Sequence, residues 1–115
     1  MQRTFFAAFT VLGLLSSCAQ MDRYDQMDMT QAVQSAKTSA DHETLARHYG
    51  NMAQTMQEKM QEQKKMLEQY EANSSGRETD EMKGHTQALI RFYEKAEKEN
   101  MRLAALHRKM AAEAK

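Results

Sequence analysis

Hydrophobic and polar positions divide the chain into distinct stretches. Phe5 to Leu15 is apolar, broken only by Thr10 and Gly13. Ala19 to Ser39 is polar, with Asp22, Asp25 and Asp28 at steps of three and no sustained period of helix or strand. Beyond it, apolar residues return at steps of three and four, the spacing of a helical face. The first face reads His42, Leu45, Tyr49, Met52, Met56, Met60, Gln63, Leu67 and Tyr70. Its one four-four pair, 52–56–60, is a local stutter in a heptad-like spacing. Arg47, Gln54, Glu58, Gln61 and Lys65 occupy the opposite face. Asn73-Ser74-Ser75-Gly76 then interrupts with turn residues. The second face reads Met82, His85, Leu89, Phe92, Ala96, Glu99, Leu103, Leu106 and Met110, with Glu99 as its weak layer and Met101 off it.

These patterns predict an all-α protein, a long antiparallel two-helix hairpin of coiled-coil character. The first helix is expected over 40–72, the turn over 73–78 and the second helix over 79–114, each helix about 50 Å long. Ser39 or Asp41 caps the first helix, and Asp41 and Glu43 place negative charge on its first turn. Ser75 and Glu78 form a capping box for the second, with Thr79 or Asp80 as alternative caps. Folding back at Ser75 and Gly76 sets Tyr49 near Arg102, His42 near His107 to Lys109, and His85 near Met66. An offset of 44 aligns Leu45 with Leu89, Arg47 with Arg91, Tyr49 with Tyr93, Lys65 with Lys109 and Met66 with Met110. The two helices therefore read as copies of one helix, which gives the hairpin an approximate two-fold.

Composition supports helix and limits the core. Proline is absent, and Ala, Gln, Glu, Lys and Met dominate. Beyond residue 40 the large aliphatics are only Leu45, Leu67, Leu89, Ile90, Leu103 and Leu106. Met52, Met56, Met60 and Met66 form a stripe that reads as flexible filler for an adaptable interface, the alternative being a soft-metal ladder. Two helices bury little by themselves, so burial is expected to be completed by a second copy, as in a four-helix bundle, or by another helical protein.

The amino-terminal stretch has a different purpose. Arg3 precedes the apolar run and the small residues Ser16 and Ser17 follow it, the layout of a secretory signal peptide. An apolar run from Phe5 to Leu15 makes about 16 Å of helix, too short for a hydrocarbon core of about 30 Å. Directly after it stands Cys18, the one cysteine of the chain. Leu15-Ser16-Ser17-Cys18 resembles the lipobox of bacterial lipoprotein precursors. The resemblance implies cleavage before Cys18, lipid on its thiol and new amine, and Leu15, Ser16 and Ser17 as signal-peptidase recognition residues. Ala19, which is not Asp, favours sorting to the outer membrane, facing the periplasm. The alternative is an ordinary secretory signal with Cys18 as an unused thiol. On the lipoprotein reading, 1–17 is the signal peptide, 18–39 a flexible tether and 40–115 the hairpin domain, with two or three acyl chains meeting the requirement for stable anchoring.

Charge narrows the partners. Loss of 1–17 removes Arg3 and no acid, so the 16 basic residues become 15 against 16 acidic ones. Near-neutrality argues against nucleic acid and gives no polybasic membrane patch. From Asp41-His42-Glu43, Leu45 and Tyr49 to Met82, His85, Leu89, Tyr93, Leu103-Ala104, His107 and Met110, residues 40–112 resemble small exported bacterial proteins with helical-hairpin domains. That resemblance implies the architecture and no activity.

Candidate chemistry is sparse. His42, His107 and Met110 converge at the open end of the fold-back, with Asp41 and Glu43 nearby, a donor set suited to copper or zinc. The simpler account makes each seam histidine a polar layer that fixes register. His85 lies on the second face, and His48 stands on the flank in solvent. Met21, Met27 and Met29 in the tether are soft ligands for Cu(I) or Ag(I), or incidental residues of a loose segment. No nucleophile–base arrangement or phosphate loop is legible, so no enzyme and no cofactor beyond the lipid is expected. The expected function is a structural or interaction module of the cell envelope, self-associating, with soft-metal or zinc binding as the rival.

Overall fold

A computed structural model of the chain describes residues 28–73 and 75–114. Helix α1 spans Met29–Ser35, α2 Ser39–Asn73 and α3 Arg77–Glu113. The two long helices run antiparallel and pack along their length, so the protein is an all-α helical hairpin.

Helix α1 lies within the stretch expected as a flexible tether and forms two turns there. Its start is fixed by Asp28, whose Oδ1 accepts from the amides of Thr30 at 3.1 Å and Gln31 at 3.3 Å. It has no buried residue. A small groove lined by Ala32, Ser35, Asp41, Thr44 and Leu45 separates it from the first turns of α2.

The caps of the long helices differ from those expected. Thr38, not Ser39 or Asp41, is the N-cap of α2: its Oγ1 accepts from the Asp41 amide at 3.1 Å. Asp41 Oδ2 reaches back to accept from the amides of Thr38 at 2.9 Å and Lys37 at 3.0 Å. This is a capping box in which Asp takes the place of Glu. Gly76, not Ser75, caps α3, and it does so without a side-chain bond. Its φ of 128° lies where a side chain is strained, which suits glycine at the turn. Glu78 and Asp80 place negative charge on the first turn of α3.

On α2 the seam is His42, Tyr49, Met56, Gln63 and Tyr70, interleaved with Ala46, Ala53, Met60 and Leu67, all buried or half-buried. Each set repeats every seven residues. The expected stutter disappears because Ala53, not Met52, is the buried residue of its turn.

On α3 the difference is larger. The seam is Thr79, Thr86, Tyr93, Asn100 and His107, interleaved with Lys83, Ile90, Glu97, Ala104 and Ala111. From Lys83 onward each lies one residue beyond its counterpart in the expected face, a rotation of about 100°. Of that face, Met82, Leu89, Phe92, Leu103, Leu106 and Met110 are exposed, as are His85 and Glu99. The physical reason is close approach. Ala46, Ala53, Ala104 and Ala111 are buried, and such small residues let the helix axes draw together while the large side chains flank the contact. The polar groups inside are satisfied locally: Thr86 Oγ1 donates to the Met82 carbonyl at 2.8 Å, and Asn100 Nδ2 to the Ala96 carbonyl at 2.8 Å. Adding 44 to any α2 seam number from His42 to Leu67 gives an α3 seam residue, so the internal repeat keeps register with the packing.

The salt bridges among the described residues are all within one helix, at steps of three or four, and all their side chains but the half-buried Lys83 lie on exposed surface. Such pairs contribute roughly 0.3–0.5 kcal/mol each and do not set which faces meet.

Candidate functional site

Two features outside the ordinary packing stand out: a histidine pair at the open end, and an uncovered apolar stripe on α3.

The Thr38–Asp41 box fixes the first turn of α2 and so places His42 one residue beyond it. Leu45, 2% exposed, and Ala46 anchor the next turn. From the other strand of the hairpin His107 enters between His42 and Tyr49, which lie two turns apart on α2. Its ring is parallel to that of Tyr49, with centroids 5.5 Å apart and planes inclined by 6°. Its Nδ1 lies 3.1 Å from Nδ1 of His42. The two imidazole centroids remain 5.4 Å apart, with planes 23° apart. The rings therefore meet at their Nδ1 edges, joined by one shared proton: one nitrogen donates and the other must be bare. Burial first, and then the neighbouring His42, lower the His107 pKa below the usual histidine range. The Asp41 carboxylate is engaged by two backbone amides, which lower its pKa.

The structure thus brings together two of the three expected metal ligands. Met110 is exposed. Asp41 is committed to the cap, and among the described residues no three His, Cys, Asp or Glu side chains form a group able to hold a metal ion. What the pair can do as it stands is share a proton, lock the open end of the hairpin and offer two ring nitrogens to an ion that displaces that proton. His48 is half-buried with its ring edge-on to Tyr49, at a centroid separation of 5.5 Å, instead of standing free in solvent. Met29 opens α1. Met21, Met27 and the lipobox Leu15-Ser16-Ser17-Cys18 lie outside the described residues.

The two sides of the hairpin differ. On one side Gly50, Ala53 and Gln57 of α2 face Glu97, Met101, Ala104 and Arg108 of α3 across an open groove of about 440 Å³. A Cβ on Gly50 would lie 3.9 Å from the Arg108 guanidinium, an ordinary van der Waals contact. The other side is apolar. Along α3, Met82, Leu89, Leu103 and Met110 are exposed, with Phe92 and Leu106 farther round the same helix at 62% and 56% exposure. The sequence points to this stripe as apolar and helical, but the expected hairpin seam had absorbed it.

Comparison of the chain with protein-family models, with curated proteins and with solved structures found no match. No described helix is long and apolar enough to cross a membrane.

Proposed function

We propose that the protein is a lipid-anchored module of the bacterial cell envelope, attached through Cys18 to the periplasmic face of the outer membrane, which works by helical association and carries out no reaction. The observation that supports association is the stripe from Met82 to Met110, left in solvent by the single hairpin. A contiguous apolar patch of this kind marks an interaction surface. The hairpin's own core contains only Leu45, Met60 and four alanines as buried hydrophobic residues, so covering the stripe is the main route to further stabilisation. The anchor rests on the lipobox.

Light scattering on residues 19–115 tests association: a dimer or larger species is expected, and Leu103→Lys should return it to monomer. A wild-type monomer at all accessible concentrations would sink self-association. Palmitate labelling tests the anchor separately: it should disappear in a Cys18→Ser precursor, and unchanged labelling would refute lipidation there.

A second reading is carried by the histidine pair, whose two Nδ1 atoms already converge. In it the protein binds copper, silver or zinc at the open end. Titration with Cu(I), Cu(II) and Zn(II) decides: sub-micromolar binding lost in His42→Ala and His107→Ala supports it, and indifference to all three ions removes it.

A further inference from the structure

Resting on the self-association proposed above, we infer that the partner of the α3 stripe is the same stripe of a second copy, running antiparallel. The stripe repeats every seven residues in two rows: Met82, Leu89, Ala96, Leu103 and Met110, and His85, Phe92, Glu99 and Leu106. Laid antiparallel on itself, one register puts Leu89 opposite Leu106, Phe92 opposite Leu103 and His85 opposite Met110. The central layer is then Glu99 against Ala96, where the small residue leaves the carboxylate room to reach solvent. Sliding by one heptad in either direction sets Glu99 against Leu89 or Leu103. Parallel pairing in register sets Glu99 against Glu99, two like charges in the middle of an apolar contact. In the antiparallel register, Lys95 of each copy flanks the layer that holds Glu99 of the other, which supplies the opposite charge.

The area is sufficient. From Met82 to Met110 the stripe is about 40 Å long, and with the adjoining edge of α2 about 20 Å wide, so roughly 800 Å² of each copy is covered, the size of a stable specific interface. Phe92 and Leu106 decide which helix of the second copy lies there. They point away from the hairpin seam, so only a helix laid directly on α3 covers them. The corresponding outer positions of α2 are His48, Thr55, Glu62 and Gln69, too polar to serve.

The test uses the full chain in membranes. Ala88 and Lys109 are exposed and border the stripe without lying in it. Copies carrying Ala88→Cys and differently tagged copies carrying Lys109→Cys are co-expressed and treated with a short bismaleimide, with the parent chain as background. The antiparallel register predicts the mixed 88–109 product and no 109–109 product, because the two Lys109 positions then lie about 35 Å apart. A 109–109 product without the mixed one would overturn the antiparallel arrangement while leaving self-association standing. Neither product, with the chain monomeric by sedimentation in detergent, would overturn both. Phe92→Glu should remove the mixed product while leaving helical circular dichroism intact; a mixed product that survives it would also overturn the inference.

Discussion

At the scale of single residues, the two ends of the pH range probe two different groups. Asp41 has a lowered pKa because the Lys37 and Thr38 amides bond its carboxylate. A depressed acid adds stability that is present above its unfolded value of 3.8 and is lost as pH falls through the folded value. Asp41→Asn should therefore weaken the hairpin at neutral pH and flatten its acid sensitivity below about pH 4. Thr38→Ala removes the other half of the capping box and should cost about 1 kcal/mol, read from the urea midpoint. His107 acts in the same sense at higher pH. Its folded pKa lies below 6.5, so in that window the unfolded chain binds more protons and stability rises with pH. The melting temperature should be lower at pH 5.5 than at pH 7.5, and His107→Asn should flatten the difference. An unchanged slope in that variant would show that the shared proton of His42 and His107 has no part in it.

At the scale of the helices, the contrast between small and large residues makes a sharper test. Ala104 is buried in the seam, whereas its neighbour Leu103 is half in solvent. Ala104→Leu should force the helices apart at a cost of about 1–3 kcal/mol, measured by denaturant unfolding below the association range. Leu103→Ala should cost much less under the same conditions; the reverse order would place the seam on the apolar stripe after all. This is also where the sequence was legible and where it was not. The two helices and their antiparallel return follow from strong helix formers, absent proline and the break at Asn73 to Gly76. The face of α3 did not follow, because shifting every residue by one leaves the three-four spacing unchanged. Ranking positions by side-chain size then selects Phe92 and Leu106 over Tyr93 and His107. The offset of 44 held the missing information: it carries Tyr49 to Tyr93 and Gln63 to His107, both in the true seam. The Thr38 box was missed because Asp at its third position is less familiar than Glu. The pairing of His42 with His107 was legible from the fold-back alone, since it needs only the position of the turn.

At the scale of the whole molecule, the hairpin and its exposed stripe are parts of one energy balance. Fully burying a Leu, Phe or Met contributes about 1.5–3 kcal/mol, and six such side chains lie partly or largely exposed in the α3 stripe. The contact between α2 and α3 instead buries mainly alanines, so the isolated hairpin is marginal and its folding is linked to whatever covers the stripe. Linkage of this kind makes the melting temperature depend on concentration. For residues 19–115 it should rise across a hundredfold increase in protein, with sedimentation mass rising in step. Phe92→Glu removes a favourable contact and introduces a charge that an apolar partner helix cannot accommodate. Its melting temperature should be lower than wild type and independent of concentration, because only the intrinsic stability of the hairpin remains. Phe92 is too exposed in the single hairpin for its loss to weaken that unit greatly. A large drop at the lowest wild-type concentration, where association is negligible, would therefore mean that Phe92 supports the hairpin itself. A drop confined to high concentration would place the missing part of the core between molecules.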